Sequence, residues 1–120
     1  MQILIRLAAF LAGTCLLGAM AYVSFAPKGA DLPLLPALAS DKVNHITGCY
    51  VLTLLILAAL PGLRPSLLAA LIVLAGGVVE AAQAEVGREA SLSDFLANLA
   101  GVLAAVLPIW LARLRSRPPP

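Results

Sequence analysis

Four stretches of this 120-residue chain carry almost no charge over lengths that match the thickness of a lipid bilayer. They are residues 7–27, 43–63, 65–84 and 95–112, of 21, 21, 20 and 18 residues, and the only charged side chain in them is Glu80. A hydrocarbon core needs about 20 helical residues to cross it, and an open chain satisfies its backbone in lipid only as a helix. The sequence therefore predicts an all-α polytopic membrane protein.

Helix-breaking and capping residues between these stretches set the predicted bounds of a four-helix transmembrane bundle: about 4–26, 43–60, 66–85 and 94–112. The spacing of Ser91 and Asp94 is that of a capping box before the fourth helix. Pro108 is expected to bend that helix near its end. The residues that mark the other bounds are Pro27, Gly29, Pro33, Pro36, Ser40, Asp41, Pro61, Gly62 and Pro65.

The predicted domain organisation is a single transmembrane domain over residues 1–112, followed by a basic, proline-rich tail at 113–120. A cleavable signal peptide is the alternative interpretation of the first stretch, because Ala19-Met20-Ala21 resembles a cleavage site. The apolar run continues to Ala26, however, which is the length of a membrane span. We interpret it as an uncleaved helix.

Composition restricts the partners of such a chain. Hydrophobic residues make up 62% of it and charged residues 12%, whereas soluble domains carry about 25% charged residues. The net charge of +2 is small and dispersed, which argues against a nucleic-acid partner. Cys15 and Cys49 lie within apolar stretches and are interpreted as small packing residues. Membrane lipid is the expected surrounding.

The distribution of basic residues predicts the orientation in the membrane. Five basic residues, Arg6, Arg64, Arg113, Arg115 and Arg117, fall on the side of both chain ends, and three, Lys28, Lys42 and Arg88, fall on the other side. Basic residues are enriched in cytoplasmic segments. We therefore expect a multi-pass protein of the cell (inner) membrane with both termini in the cytoplasm.

Several polar residues are unusual for simple membrane spans and cluster at one end of the predicted bundle. Helix two begins at that end, helix three ends there and helix four begins there. Depths estimated at about 1.5 Å per residue place the deeper member of each polar pair in one layer beneath the outer headgroups. The pairs, at helical spacing, are Asp41 with His45, Glu80 with Gln83, and Asp94 with Asn98.

These polar groups are expected to face one another. An acid at the bilayer centre costs about 2.5–3.5 kcal/mol, so it is tolerated only between helices and with a partner. Arg88 is expected to close over the layer and pair with Glu80 or Asp94. Small residues near these positions would let helix backbones approach closely; they are Gly76, Gly77, Gly101 and Ala105.

Plainer interpretations of the same residues remain open. The polar layer can have a purely structural role, as a network of capped helix ends and interhelical hydrogen bonds. His45 and Cys49 are four residues apart, but no second pair has metal-ligand spacing, so we expect neither a metal site nor a cofactor. Ser91 and Ser93 are interpreted as helix caps and not as nucleophiles.

The ordered polar residues of the second half of the chain resemble those of the VanZ-like family. The matching motifs are Asp41-Lys42-x-x-His45, Glu80-x-x-Gln83, Arg88 and Asp94-x-x-x-Asn98-x-x-Gly101. The family often has a further glycine where Ala104 and Ala105 stand here. The resemblance implies a small bacterial multi-helix membrane protein of poorly defined activity. Its founding member is associated with low-level teicoplanin resistance, a property we do not transfer to this chain.

Three functions follow as hypotheses. The first is a protein of the bacterial envelope that binds a lipid headgroup or a lipid-linked or amphiphilic small molecule through Asp41, Lys42, His45, Glu80, Gln83, Arg88, Asp94 and Asn98. The second is a membrane enzyme with the candidate catalytic residues His45, Glu80 and Asp94, in which Asp41 or Glu80 orients His45 for acid or base chemistry. The third is a structural scaffold. The sequence decides neither whether the protein is an enzyme nor its ligand or oligomeric state.

Overall fold

The computed structural model describes residues 1–25, 41–87, 89 and 91–116, and for Asp41 it describes the backbone alone. Four α-helices occupy this part of the chain: α1 (Gln2–Phe25), α2 (Asp41–Ala59), α3 (Pro65–Glu85) and α4 (Leu92–Arg115). All four are long and apolar enough to cross a membrane. The predicted all-α bundle of four transmembrane helices is confirmed, and the chain is a multi-pass membrane protein.

The helix bounds differ from the predicted ones by three residues or fewer at each end. Pro65 occupies the first turn of α3, as predicted, with Arg64 before it. The largest difference is in α4, which extends through Arg115 and includes Pro108. Residues 113–115 of the predicted tail are thus helical. Arginines in a last turn interact favourably with the negative end of the helix dipole. The helix can therefore continue through Arg113 and Arg115 although the membrane span ends before them.

Several predictions concern residues outside the described part of the chain. They are the extended loop with Pro33 and Pro36, the cap at Ser40 or at the side chain of Asp41, the closure by Arg88 over the polar layer, and residues 117–120 of the tail. These remain predictions.

The helices pack in the order α1, α2, α4, α3, because α2 contacts both α1 and α4, and α4 also contacts α3. The most extensive contact is between α2 and α4. Cys49, Ala69, Val102 and Val106 form the buried core, one or two from each of α2, α3 and α4. Around it, large apolar side chains on all four helices are exposed, as lipid-facing surfaces are.

One stripe of α4 faces the other helices. Its buried residues recur every four positions along the helix, and small side chains predominate among them: Ala97, Asn98, Gly101, Val102, Ala105 and Val106. Small residues at such a stripe let neighbouring backbones approach closely in a membrane. The only polar member is Asn98, which lies at the end where α4 begins.

Candidate functional site

Asn98 is the centre of a polar cluster between α2 and α4. Its side chain is 9% exposed, and its Oδ1 lies 3.0 Å from His45 Nδ1. The thiol of Cys49 donates to the same oxygen over 3.4 Å. On the third side is Gly76 of α3, where a Cβ would come within 3.5 Å of the Asn98 amide nitrogen. Asn98 therefore lies where three helices meet.

Gly101 explains how so short a side chain reaches across to α2. A Cβ at this position would collide with the carbonyl group of Ile46 and would lie 3.1 Å from the Cβ of Cys49. Since glycine has none, α4 comes close to the backbone of α2 just one turn after Asn98. The predicted close approach of helix backbones at Gly101 is confirmed by this contact.

The polar face of α2 extends further than predicted. Thr53 is fully buried, and its hydroxyl donates to the carbonyl of Cys49 over 2.6 Å. His45, Cys49 and Thr53 follow one another at intervals of four residues, so they form a row on one helix face. Cys49 was predicted to be a packing residue, and no role was predicted for Thr53. The repeated spacing was the signal that could have identified both.

Glu80 joins the end of α3 to the beginning of α4. Its side chain is 9% exposed, and Oε2 accepts a hydrogen bond of 3.1 Å from the backbone N–H of Ser91. Ser91 is the residue immediately before the first turn of α4. A carboxylate is favoured there because the N–H groups at a helix N-terminus carry partial positive charge.

The predicted capping box at Ser91 and Asp94 is wrong. The Ser91 side chain makes no capping hydrogen bond to the helix, and its hydroxyl lies 2.7 Å from that of Ser93. In a capping box the third helical residue reaches back to the N-cap N–H. Here that N–H already donates to Glu80 of the neighbouring helix α3. Asp94 is therefore not needed as its acceptor.

Gln83 connects α3 with α1. Its amide Nε2 donates to the backbone carbonyl of Ser24 over 2.8 Å, one residue before α1 ends at Phe25. All four helices therefore contribute to one end of the bundle. We call this the polar end and define it by six residues: Ser24, His45, Glu80, Gln83, Ser91 and Asn98.

Two other predicted site residues are less enclosed. Lys42 is exposed and Asp94 is half-buried, and neither side chain makes a hydrogen bond or ion pair with another residue of the described ranges. Arg88 and the side chain of Asp41 lie outside those ranges. Their predicted roles in binding, and the pairing of Arg88 with Glu80 or Asp94, are therefore unchanged predictions.

The structure gives His45 a contact that was not predicted, with the amide of Asn98. Of the two residues expected to orient the imidazole, Glu80 has a carboxylate that contacts the N-terminus of α4. The side chain of the other, Asp41, lies outside the described ranges, so its role stays a prediction. Among the described residues, no three His, Cys, Asp or Glu side chains gather as metal ligands. His45 and Cys49 share the amide oxygen of Asn98.

Chemically, the polar end offers an imidazole, a carboxylate and amides at one face of an apolar bundle. Interhelical contacts fix the side chains of His45, Glu80 and Gln83 in place. No family model, curated protein or solved structure matches this chain. The resemblance to the VanZ-like family therefore remains a prediction from the residues that carry it.

Proposed function

We propose that this chain is a VanZ-like membrane protein of the bacterial envelope that binds a lipid headgroup or another amphiphile at its polar end. The supporting observation is the convergence of polar contacts from all four helices at one end of a bundle that is otherwise apolar. Polar and ionisable groups inside a membrane are costly and commonly belong to a functional site. A lipid headgroup is the polar group most abundant at that depth.

The orientation follows from the distribution of basic residues. Both termini lie in the cytoplasm of a cell whose inner membrane holds the protein, since five basic residues fall on that side and three on the other. The polar end then faces the outer leaflet. Its ligands come from that leaflet or from outside the cell.

A groove between α3 and α4 favours an amphiphile over a wholly polar ligand. It is open and apolar, has a volume of about 580 Å³, and follows α3 from Ala70 to Ala81. Phe95 lines it from α4. Ala81 is next to Glu80 and Phe95 is next to Asp94, so the groove reaches the polar end. In the proposed complex an acyl chain lies along the groove and the headgroup contacts the polar end.

A second groove provides a contrast. It lies between α1 and α2, has a volume of about 250 Å³, and is lined by residues between Ala9 and Leu17 and between Leu52 and Leu60. Since α2 begins at the polar end and closes at Ala59, this groove is directed to the opposite face of the membrane. Among the described residues that line it, Thr14 alone is polar, and we assign no ligand to it.

Saturable lipid binding by the purified protein tests the proposal. The protein is placed in phosphatidylcholine nanodiscs, and fluorescent phosphatidylglycerol or teicoplanin, each with its own acyl chain, is titrated in. Lys42→Ala should weaken binding of phosphatidylglycerol about fivefold, because a basic residue near the membrane surface contributes about 1 kcal/mol toward an anionic lipid. Arg64→Ala is the matched control, since Arg64 is an exposed basic residue beyond the other end of α2.

The outcomes separate specific from general attraction. Equal weakening by the two substitutions would reveal only non-specific attraction to anionic lipid and would contradict the proposal. Absence of saturation with either probe would contradict it as well. Saturation that depends on Lys42 but not on Arg64 supports a site at the polar end.

An enzyme acting on a lipid-linked substrate is the second candidate, favoured by the contact between His45 and Asn98. An imidazole held by an amide on a neighbouring helix is prepared for general acid or base catalysis. Comparison of the lipids of membranes with and without the protein distinguishes this function from binding. A headgroup species that changes with the wild type, and not with His45→Gln at equal abundance, would support catalysis.

A further inference from the structure

The chain contains one histidine, and the structure places one edge of its ring against an amide. We infer that Asn98 fixes the tautomer of His45, with a proton on Nδ1. The distance of 3.0 Å between Nδ1 and Oδ1 is that of a hydrogen bond. An amide oxygen can only accept, so the ring nitrogen that faces it must donate. Asn98 is thus a positioning residue that acts through His45.

Cys49 decides which way the amide of Asn98 points. With Oδ1 toward α2, the oxygen accepts from His45 and from the Cys49 thiol, one hydrogen for each of its two lone pairs. With the amide reversed, its N–H groups would face a sulfur that is a weak acceptor, and the thiol would lose the oxygen to which it donates. The first arrangement makes both contacts, and it turns Nδ2 toward Gly76 on α3.

The tautomer determines which edge of the ring is basic. In a neutral imidazole one nitrogen carries the proton and the other has the lone pair, and the partner of the first sets the arrangement. With Nδ1 protonated, the lone pair is on Nε2, at the ring edge that points away from Asn98. Any base or hydrogen-bond acceptor role of His45 at the polar end, toward the chain itself or toward a ligand, therefore goes through Nε2. That last step rests on the proposed function, whereas the tautomer does not.

Nitrogen NMR tests the inference without knowledge of the ligand. The full chain is labelled with ¹⁵N-histidine and measured at neutral pH in phosphatidylcholine bilayers. Because the chain has one histidine, both ring nitrogens are assigned to His45 directly. We expect the Nδ1–H form to predominate, because only that form donates to the oxygen of Asn98. A wild-type spectrum dominated by an unprotonated Nδ1 and a protonated Nε2 would be sufficient to overturn the inference.

Two variants separate positioning from packing. Asn98→Leu removes the amide and should shift at least part of the ring population to the Nε2–H form. Thr53→Val is the control, since the hydroxyl it removes lies on the same face of α2 but donates to a backbone carbonyl; it should leave the nitrogen spectrum unchanged. An Asn98→Leu protein that is folded and has the wild-type tautomer would refute a positioning role.

Failure of this inference and failure of the proposed function give different results. If the Nδ1–H form is found and no probe binds saturably, Asn98 positions His45 and the lipid-binding proposal falls. If a probe binds at the polar end while Nε2 carries the proton, the lipid site stands and the tautomer inference falls.

Discussion

The first and fourth helices both contain 24 residues, yet their relations to the rest of the molecule differ. Buried residues of α4 number six, whereas those of α1 are Ala9 and Gly13. Burial of apolar surface does not drive association in lipid, since acyl chains are equally apolar. Helix α4 is instead held to its neighbours by close backbone approach and by polar contacts. Length and hydropathy make a span, but they do not determine what the span packs against.

The closest contacts of the two helices show the same difference. Helix α4 meets the backbone carbonyl of Ile46 at Gly101, whereas α1 meets Gly48 with the flexible end of Met20. At Gly13 of α1, a Cβ would make an ordinary contact of 3.6 Å with Leu55. The contact of α4 therefore has no room for a Cβ, whereas the contacts of α1 can accommodate one.

Gly101→Ala should cause the largest loss of stability. The new methyl group would meet a backbone carbonyl that cannot rotate away, so α2 and α4 must separate and the Asn98 contacts to His45 and Cys49 are weakened. We expect a loss at the upper end of the range of about 1–3 kcal/mol that overpacking costs. Unfolding in detergent, followed by circular dichroism, measures it.

Gly48→Ala is the matched control for that prediction. A Cβ there would lie 3.2 Å from the terminal methyl group of Met20, which can move aside because the side chain has several rotatable bonds. Stability should change by no more than about 0.5 kcal/mol. Equal effects of the two alanines would remove the distinction between α4 and α1.

Glu80→Ala should have an intermediate effect. It leaves the N–H of Ser91 without its carboxylate partner, and an unsatisfied, partly buried N–H costs about 1–2 kcal/mol. Unfolding in detergent and abundance in the membrane are the measurements. Glu80→Gln retains an acceptor oxygen and should lose less, and Glu85→Ala, at an exposed position five residues later, should lose nothing.

The abundance measurement also addresses the scaffold hypothesis. If Glu80→Ala lowers abundance and function in parallel, a structural role is sufficient to explain Glu80. If function is lost at full abundance, the carboxylate takes part in binding or chemistry.

Gln83→Leu should have a smaller effect than Glu80→Ala and should act on α1 selectively. The substitution removes the amide that donates to the carbonyl of Ser24, and a hydrogen bond between membrane helices is worth about 0.5–1 kcal/mol. Hydrogen exchange in nanodiscs should become faster near the end of α1 and remain unchanged in α4. Faster exchange in both helices would mean that α1 is as firmly integrated as α4.

The spans themselves were predictable, because charged side chains are costly in hydrocarbon and therefore mark the ends of spans. Arg6, Lys42 and Arg64 bound apolar stretches of the required length, and the helices agree with them. The end of α4 was predicted too early because Arg113 and Arg115 are compatible with a helix that extends past the hydrocarbon.

The pairing of side chains was only partly predictable. Helical spacing and hairpin topology predicted that His45 and Asn98 would share a depth, and they are in contact. The same reasoning could not select Asn98 over Glu80 as the partner of His45, because the choice depends on the rotation of α2 against α4. Gly101 sets that rotation through its contact with Ile46, a tertiary constraint that the order of residues does not reveal.

The contact between α2 and α4 joins helices that are not neighbours in the chain, and this has a consequence for biogenesis. A ribosome makes α2 before α4, so His45 and Cys49 are in the chain before Asn98 can contact them. Unassembled helices satisfy such groups with provisional partners. Assembly of the bundle must exchange those partners, which makes insertion of α4 the step that commits the polar end to its final form.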